Sequence, residues 1–186
     1  MDKYMFRKRN ALSRKECEHV IRLFENSNPQ LSTHKYYSVS PSMSETQYIF
    51  LRSVLNDNLV EYGKKHTFLG KRYERYWNID DVFNIQRYNP GAYYDSDYDV
   101  VYWEGHAEHG HEKVSVRRMV AWMFYLNNIK NDGGTRWPQQ RFTTKPKAGD
   151  LYIWPAFWTH SHYGVPAPDE TKYIITGWCS WNDLDG

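Results

Sequence analysis

Five of the eight histidines lie in two short segments, which are WEGHAEHGHEK with His106, His109 and His111, and THSHYG with His160 and His162. In the first segment, His106 and Glu108 are separated by one residue. A His-X-carboxylate pair on one loop and a distant histidine can hold Fe(II) on one face and leave three coordination positions open. The clustering therefore indicates a metal site with His106, Glu108 and His162 as ligands.

A second feature is a lysine at the head of an apolar run. Lys172 begins KYIITGW, ten residues after His162. A cation at the start of a buried strand is costly unless an anion meets it. The position therefore favours an acidic ligand beside Lys172, and a surface lysine at a strand end is the alternative.

Composition excludes several classes of protein. The 24 basic and 22 acidic residues give a formal charge of +2, so no broad electrostatic footprint for nucleic acid is present. No run of about 18 apolar residues, as a membrane-spanning helix needs, occurs in the sequence. Cys17 and Cys179 show no CxxC spacing, which fits a reducing compartment. We expect a cytoplasmic protein that does not bind a membrane.

Two helices are predicted before the strands. Ser13 is a candidate N-cap and Glu16 completes a capping box, followed by Val20, Leu23 and Phe24 on one face. A second helix is predicted over residues 45–66. Its buried stripe is expected to consist of Ile49, Leu51, Val54, Leu55 and Leu59. The polar, proline-containing stretch between the helices predicts a loop or an irregular strand.

From about residue 80 the pattern changes to short apolar or alternating runs separated by turn signals such as NDGG and PKAG. Helices followed by strands favour an antiparallel sandwich with helices on one side. We expect a single domain over residues 1–186, mainly β with flanking N-terminal helices. Its helical part should cover about 10–66 and its β-core about 80–182.

The order of several motifs resembles the Fe(II)/2-oxoglutarate dioxygenases of the prolyl 4-hydroxylase type, including short phage-encoded members. The motifs are ALSRKECEHVI, YNPGAYY, RMVAWMFYLNN, DGGTRWP, KPKAGDLYIWP, HYGVP and KYIITGW. The resemblance covers most of the chain. It implies a double-stranded β-helix (jelly-roll) core and Fe(II), 2-oxoglutarate and O2 as cofactor and co-substrates.

The same resemblance assigns roles around the metal. His162, Pro166 and Lys172 match the family's second metal histidine, a proline and the cation that binds the distal carboxylate of 2-oxoglutarate. Tyr125 matches a tyrosine whose hydroxyl often shares that carboxylate. A core aromatic would look the same in sequence. His160 is a competitor for His162, because residues two apart on a strand face the same way, and the spacing to Pro166 and Lys172 selects His162.

The first metal motif departs from the family pattern. Counting from Tyr88 leads to Asp97 and Asp99 in YDSDYD, where a histidine and an aspartate are expected. One interpretation is an insertion that makes His106 and Glu108 the true pair. The other is loss of the first histidine, with Asp99 and another ligand serving the metal. We favour the insertion, since a neutral imidazole suits Fe(II) better than a second carboxylate.

The resemblance implies hydroxylation of an unactivated C–H bond, with formation of succinate and CO2. A prolyl or other peptidyl substrate is the first hypothesis and a small molecule the second. Candidates for the substrate-lining residues are Trp103, Arg136 and Trp137. The alternative is a catalytically degenerate jelly-roll protein that binds a metal or ligand. A nucleic-acid demethylase is a third reading, disfavoured by the near-neutral charge.

Overall fold

The computed structural model describes residues 1–32, 36–66, 77–92 and 118–181. Most of its strands form one eight-stranded antiparallel sheet, here called the main sheet. Its strands are β1 (Phe6–Lys8), β2 (Gln30–Leu31), β3 (Tyr37–Val39), β4 (Trp77–Ile79), β5 (Asn84–Tyr88), β6 (Arg118–Tyr125), β9 (Leu151–Pro155) and β11 (Lys172–Trp181). They are ordered β1-β9-β6-β11-β5-β3-β2, and β4 also pairs with β11.

A second, minor sheet contains three short strands in the order β10-β7-β8. They are β7 (Thr135–Trp137), β8 (Phe142–Thr143) and β10 (Tyr163–Gly164). The minor sheet packs on one face of the main sheet, where Trp137 and Phe142 join a cluster with Tyr125 and Trp154. This two-sheet antiparallel sandwich confirms the predicted jelly-roll fold class.

Two helices cover the other face of the main sheet. Helix α1 (Arg14–Glu25) begins at Ser13, whose hydroxyl accepts from the Glu16 amide, and the Glu16 carboxylate accepts from the Ser13 amide. This is the predicted capping box, which satisfies two amides that the helix itself leaves unbonded. The buried face of α1 carries Cys17, Val20 and Phe24. In the described ranges, neither helix has the length and apolar character needed to cross a membrane.

Helix α2 (Ile49–Lys65) follows a short 3-10 turn and buries Leu51, Leu55 and Leu59, as predicted. Ile49 was wrongly predicted to be buried, since it is 54% exposed. It lies two residues before Leu51, which is about 200° of rotation around a helix with 3.6 residues per turn. Ile49 therefore faces away from the sheet.

Strands β2 and β3 lie between the helices, in the stretch predicted to be a loop or an irregular strand, and β1 lies before the predicted helical part. Each has only two or three residues, too few to show the alternation by which a strand is recognised in a sequence. Pairing with distant strands forms them, as in the register Phe6↔Ile153 between β1 and β9. The described part of residues 1–66 thus contributes three short strands to the main sheet as well as the two helices.

The main sheet separates two hydrophobic clusters, because side chains alternate along each strand. On β11, Ile175 and Cys179 belong to the helix-side cluster, whereas Ile174 belongs to the cluster between the sheets. Lys172 is two residues from Ile174 on the same strand, so both side chains face the same side of the sheet. Lys172 is therefore directed into the space between the two sheets, which is here called the interior.

Candidate active site

His162 immediately precedes β10 of the minor sheet and follows the short 3-10 helix Trp158–His160. Its ring centroid is 5.3 Å from that of Trp137 on β7 and 5.0 Å from that of Trp154 on β9. One tryptophan comes from each sheet. The imidazole is thus held between two rigid aromatic side chains, which fixes its orientation.

A backbone contact also sets the tautomer of His162. Its Nδ1 is 3.0 Å from the carbonyl oxygen of His160. A carbonyl oxygen can only accept, so Nδ1 carries a hydrogen and Nε2 is the nitrogen that a metal would take. Histidines that bind a metal through one ring nitrogen characteristically donate a hydrogen bond from the other ring nitrogen, often to a backbone carbonyl. The side chain is therefore arranged as a metal ligand would be.

His160 points to a different part of the molecule, although it is only two residues away. Its Nε2 lies 3.3 Å from a carboxylate oxygen of Asp2, and its ring meets the Tyr4 ring edge-on at 6.5 Å. Burial lowers its pKa. Residues 158–160 form a 3-10 helix rather than a strand, so the two-residue alternation expected for His160 and His162 does not apply.

Lys172 is 3% exposed, and its ammonium group faces the interior. Its Nζ lies 4.5 Å from the centroid of the Tyr88 ring and donates a long hydrogen bond of 3.4 Å to the carbonyl of Val165. No carboxylate among the described residues pairs with it. Burial lowers the pKa of Lys172 to about 8. A buried cation with such weak partners is an incomplete site, which a carboxylate ligand would complete.

Tyr125, at the end of β6, presents a second polar group to the same interior. Its hydroxyl lies 2.9 Å from the Thr135 hydroxyl and 2.6 Å from the Thr144 hydroxyl. Burial raises its pKa, so the phenol stays protonated. Tyr125 pairs with Ile174, two residues from Lys172 on the adjacent strand. Such diagonal neighbours on one face are about 7–8 Å apart, which leaves room for a carboxylate between them.

Two threonines were missed at the sequence level. The Thr144 hydroxyl accepts from the Thr135 amide at 2.7 Å and holds the Tyr125 hydroxyl. Alternation along TRW places Thr135 on the same face as Trp137, and this signal could have identified it. Thr144 precedes Lys145 and Pro146 in a segment without regular alternation, so nothing in the sequence marks it.

The candidate substrate-lining residues on β7 occupy opposite faces. Arg136 is exposed on the outer surface, where its guanidinium donates to the Thr143 hydroxyl at 3.1 Å. Trp137 is completely buried and lies behind His162. Neither position is an open wall of the interior. Trp103 lies outside the described residues.

The remaining candidate metal ligands also lie outside the described residues. These are His106, Glu108, Asp97 and Asp99. Within the described ranges, no group of three His, Cys, Asp or Glu side chains could hold a metal ion. The choice between the HAE and the DSDYD segments therefore stays a prediction.

The described donors fit Fe(II) and 2-oxoglutarate. His162 offers its imidazole Nε2, a ligand type that suits ferrous iron. Lys172 and Tyr125 offer a cation and a hydroxyl for a carboxylate. Gly164 leaves space beside the ammonium group, since a Cβ at that position would lie 3.5 Å from Nζ.

A family comparison gives the class to which this site belongs. The model of the 2OG-Fe(II) oxygenase superfamily matches residues 83–180, more than half of the chain. The chain belongs to this superfamily. It is a 2-oxoglutarate-dependent oxygenase, whose cofactor is Fe(II) and whose co-substrates are 2-oxoglutarate and O2.

Solved structures show the same fold. The viral collagen prolyl hydroxylase of Paramecium bursaria Chlorella virus-1, in a 2-oxoglutarate complex, has 20% identity and a TM-score of 0.71 over 95% of both chains. A Pseudomonas putida prolyl-4-hydroxylase has 17% identity and a TM-score of 0.66, over 96% of this chain and 93% of the other.

A third structure is a Trichoplax adhaerens prolyl hydroxylase in complex with a hypoxia inducible factor peptide fragment. It has 18% identity and a TM-score of 0.62, over 96% of this chain and 84% of the other. A search among curated proteins found no match. The resemblance to prolyl 4-hydroxylases inferred from the motifs is confirmed.

Proposed function

We propose that this 2-oxoglutarate-dependent hydroxylase acts on a peptidyl residue, with proline as the first candidate. Its similarity to a viral collagen prolyl hydroxylase extends over 95% of both chains, and this observation carries the proposal. A fold shared with a prolyl hydroxylase in complex with a peptide fragment also supports a peptide substrate. A free amino acid or another small molecule is the second candidate.

We propose His162, His106 and Glu108 as the iron ligands. The orientation of His162 between Trp137 and Trp154 supports its part in the set. His160 instead contacts Asp2, so its ring does not lie between the two tryptophans. Asp99 is kept as the alternative to the HAE pair.

When bound, ferrous iron and 2-oxoglutarate activate dioxygen, so that a hydroxyl group replaces a C–H hydrogen while succinate and CO2 form. The protein positions the reactants and excludes competing reactions. Lys172 would bind the distal carboxylate of 2-oxoglutarate through its ammonium group. A carboxylate next to this cation would offset the cost of burying it.

Tyr125 would add a neutral hydrogen bond to the same carboxylate. Its hydroxyl can accept from Thr144, which leaves its own proton for Thr135 or for the ligand. The two threonine hydroxyls, which are uncharged, thus fix the orientation of the Tyr125 phenol. Trp137 and Trp154 would keep water away from the His162 imidazole.

A catalytically degenerate protein that binds a metal or ligand without turnover is the alternative function. A test that separates the two is succinate formation from 2-oxoglutarate with Fe(II), in the presence and absence of proline-rich peptides. The proposal requires iron-dependent succinate, with peptide hydroxylation found as a mass gain of one oxygen. Binding of 2-oxoglutarate without any succinate would favour the degenerate protein.

The same anaerobic sample provides a spectroscopic check. A bidentate 2-oxo acid on ferrous iron gives a weak visible charge-transfer band, which zinc cannot give. Absence of the band at saturating 2-oxoglutarate would contradict the proposed iron and co-substrate binding.

We further propose that residues 1–186 act as one domain in a reducing, cytoplasmic setting. Cys17 and Cys179 are both buried free thiols, and burial raises the pKa of Cys17 to about 11. Such thiols are unreactive and need no oxidising compartment.

A further inference from the structure

A groove of about 1010 Å³ lies between the N-terminal segment and the connection from β8 to β9, and it borders the interior at Thr144 and Tyr152. One wall is formed by residues 7–14 and part of α1. The other wall is formed by residues 143–150. The proposed iron site is elsewhere, since His162 does not line this groove.

The groove is strongly basic, although the whole chain is almost neutral. Its five cationic side chains face only two carboxylates; the cations are Arg7, Arg9, Arg14, Lys145 and Lys147. Both carboxylates are already paired. Asp150 binds Arg7 at 2.6 Å, and Glu18 binds Arg14 at 2.8 Å.

Three cations are left without an acidic partner among the described residues. Arg9, Lys145 and Lys147 are all exposed, and the described side chains make no hydrogen bond or ion pair with them. Two come from one wall and one from the other. An anionic ligand lying along the groove would therefore meet positive charge on both sides.

The floor of the groove distinguishes between kinds of polyanion. It contains the half-buried ring of Phe142 with the exposed side chain of Asn128 beside it. Leu126 is only 2% exposed, and the Asn127 amide is already bonded to the backbone of Thr171 and Tyr173. Single-stranded nucleic acid is usually bound by aromatic rings on which bases stack. Here Tyr152 is 1% exposed, so the described lining offers only the half-buried ring of Phe142 and not a row of rings on which successive bases could stack.

We propose that this groove binds an acidic peptide segment of a protein partner. Its carboxylates would lie against Arg9, Lys145 and Lys147, and an apolar side chain would lie on the half-buried ring of Phe142. The charge excess of the groove and the single half-buried ring on its floor carry this inference. It does not depend on iron or 2-oxoglutarate, so the proposed function can fail without affecting it.

The test is fluorescence anisotropy with a short fluorescein-labelled peptide of Glu-Glu-Leu repeats. At a salt concentration near 0.1 M, where screening acts over about 10 Å, we expect saturable binding. The same peptide with Gln in place of Glu should bind at least about tenfold more weakly, a difference of about 1.4 kcal/mol.

The double variant Lys145→Glu/Lys147→Glu should weaken binding of the acidic peptide at least about tenfold. Its matched control is Lys3→Glu/Lys64→Glu, which changes the net charge equally at exposed positions outside the groove. The control should change the dissociation constant less than about twofold, because exposed distant charges are screened.

Both double variants should melt at the wild-type temperature, and a single Arg9→Glu variant repeats the test on the opposite wall. Absence of peptide binding to the wild type would overturn the proposal. So would an equal loss in the control variant, or equally tight binding of single-stranded DNA of similar charge.

Discussion

The two faces of the main sheet are built differently. The helix-side face is filled with apolar side chains of α1, α2 and the strands, such as Val20, Phe24 and Leu55. The interior, between the main and the minor sheet, buries an ammonium group and two threonine hydroxyls beside its aromatic rings. These polar residues are Lys172, Thr135 and Thr144.

Because of this difference, we expect side chains on the helix side to determine the stability of the fold and side chains in the interior to determine ligand binding. Burial of the apolar side chains on the helix side contributes directly to folding. Burial of Lys172 opposes folding until an anion reaches it, because the desolvated charge has no acidic partner in the described structure. A substitution on the helix side should therefore change the free energy of unfolding, and a substitution in the interior should change 2-oxoglutarate binding or turnover.

The largest effect is expected at His162. His162→Ala should lower 2-oxoglutarate turnover by more than about 100-fold, since loss of the outer partners of a metal ligand already costs about 10–100-fold. Succinate formation and iron content measure this loss. His160→Ala is the matched control and should keep most of the activity; the opposite ranking would transfer the ligand role to His160.

On the helix side, Phe24→Ala should lower the free energy of unfolding by about 3–5 kcal/mol, because a buried ring is replaced by a cavity. Denaturant titration measures the change. Below the melting temperature, the dissociation constant for 2-oxoglutarate should equal that of the wild type. Phe157→Ala, at a position that is 44% exposed, is the control and should lose much less stability. A large loss of 2-oxoglutarate affinity in Phe24→Ala would show that the faces are not independent.

The pH dependence of 2-oxoglutarate binding should follow Lys172. Its pKa in the folded protein is about 8, below its usual value of 10.5. If only the charged form binds the dianion, affinity should fall about tenfold between about pH 7 and about pH 9. Titration calorimetry with a redox-silent metal measures this fall, and Lys172→Met should remove it.

The stability of the ligand-free protein should change in the opposite direction over a similar range. Between a pKa of about 8 in the folded state and 10.5 in the unfolded state, the unfolded chain binds more protons at this lysine. The contribution of Lys172 to the free energy of unfolding therefore rises with pH. A contribution that falls with pH, judged by difference from Lys172→Met, would mean that the ammonium group has an anionic partner before 2-oxoglutarate binds.

The smallest effect is expected at Tyr125. Tyr125→Phe removes one neutral hydrogen bond and should weaken 2-oxoglutarate about threefold, within the 0.5–1.5 kcal/mol typical of such bonds. The measurement is the same calorimetric titration. An unchanged affinity would assign the tyrosine to packing against Thr135 and Thr144 alone.

Local signals in the sequence predicted some elements well. The capping box of Ser13 and Glu16 lies within four residues, so it was visible without knowledge of the fold. Strand β1 could not be predicted, because it forms only where Phe6 meets Ile153 at the far end of the chain.

In the candidate site, too, some residues were recognised from the sequence and others only from tertiary contacts. The histidine clusters and the lysine before an apolar run drew attention to His162 and Lys172, and the resemblance to the prolyl 4-hydroxylase family assigned their roles. The direction of His160 depends on Asp2, which is remote in sequence, and the roles of Thr135 and Thr144 depend on how the minor sheet packs. These contacts are tertiary, so neither composition nor periodicity reports them.

The central claim is that the buried ammonium group of Lys172 binds the distal carboxylate of 2-oxoglutarate. The most direct measurement is the melting temperature of anaerobic Fe(II)-loaded wild type and Lys172→Met protein, with and without 2-oxoglutarate. Without 2-oxoglutarate the variant should melt higher, since a buried charge has been removed. The co-substrate should raise the melting temperature of the wild type but hardly that of the variant, because stabilisation follows affinity. A variant that melts lower, and that 2-oxoglutarate stabilises as much as the wild type, would contradict the claim.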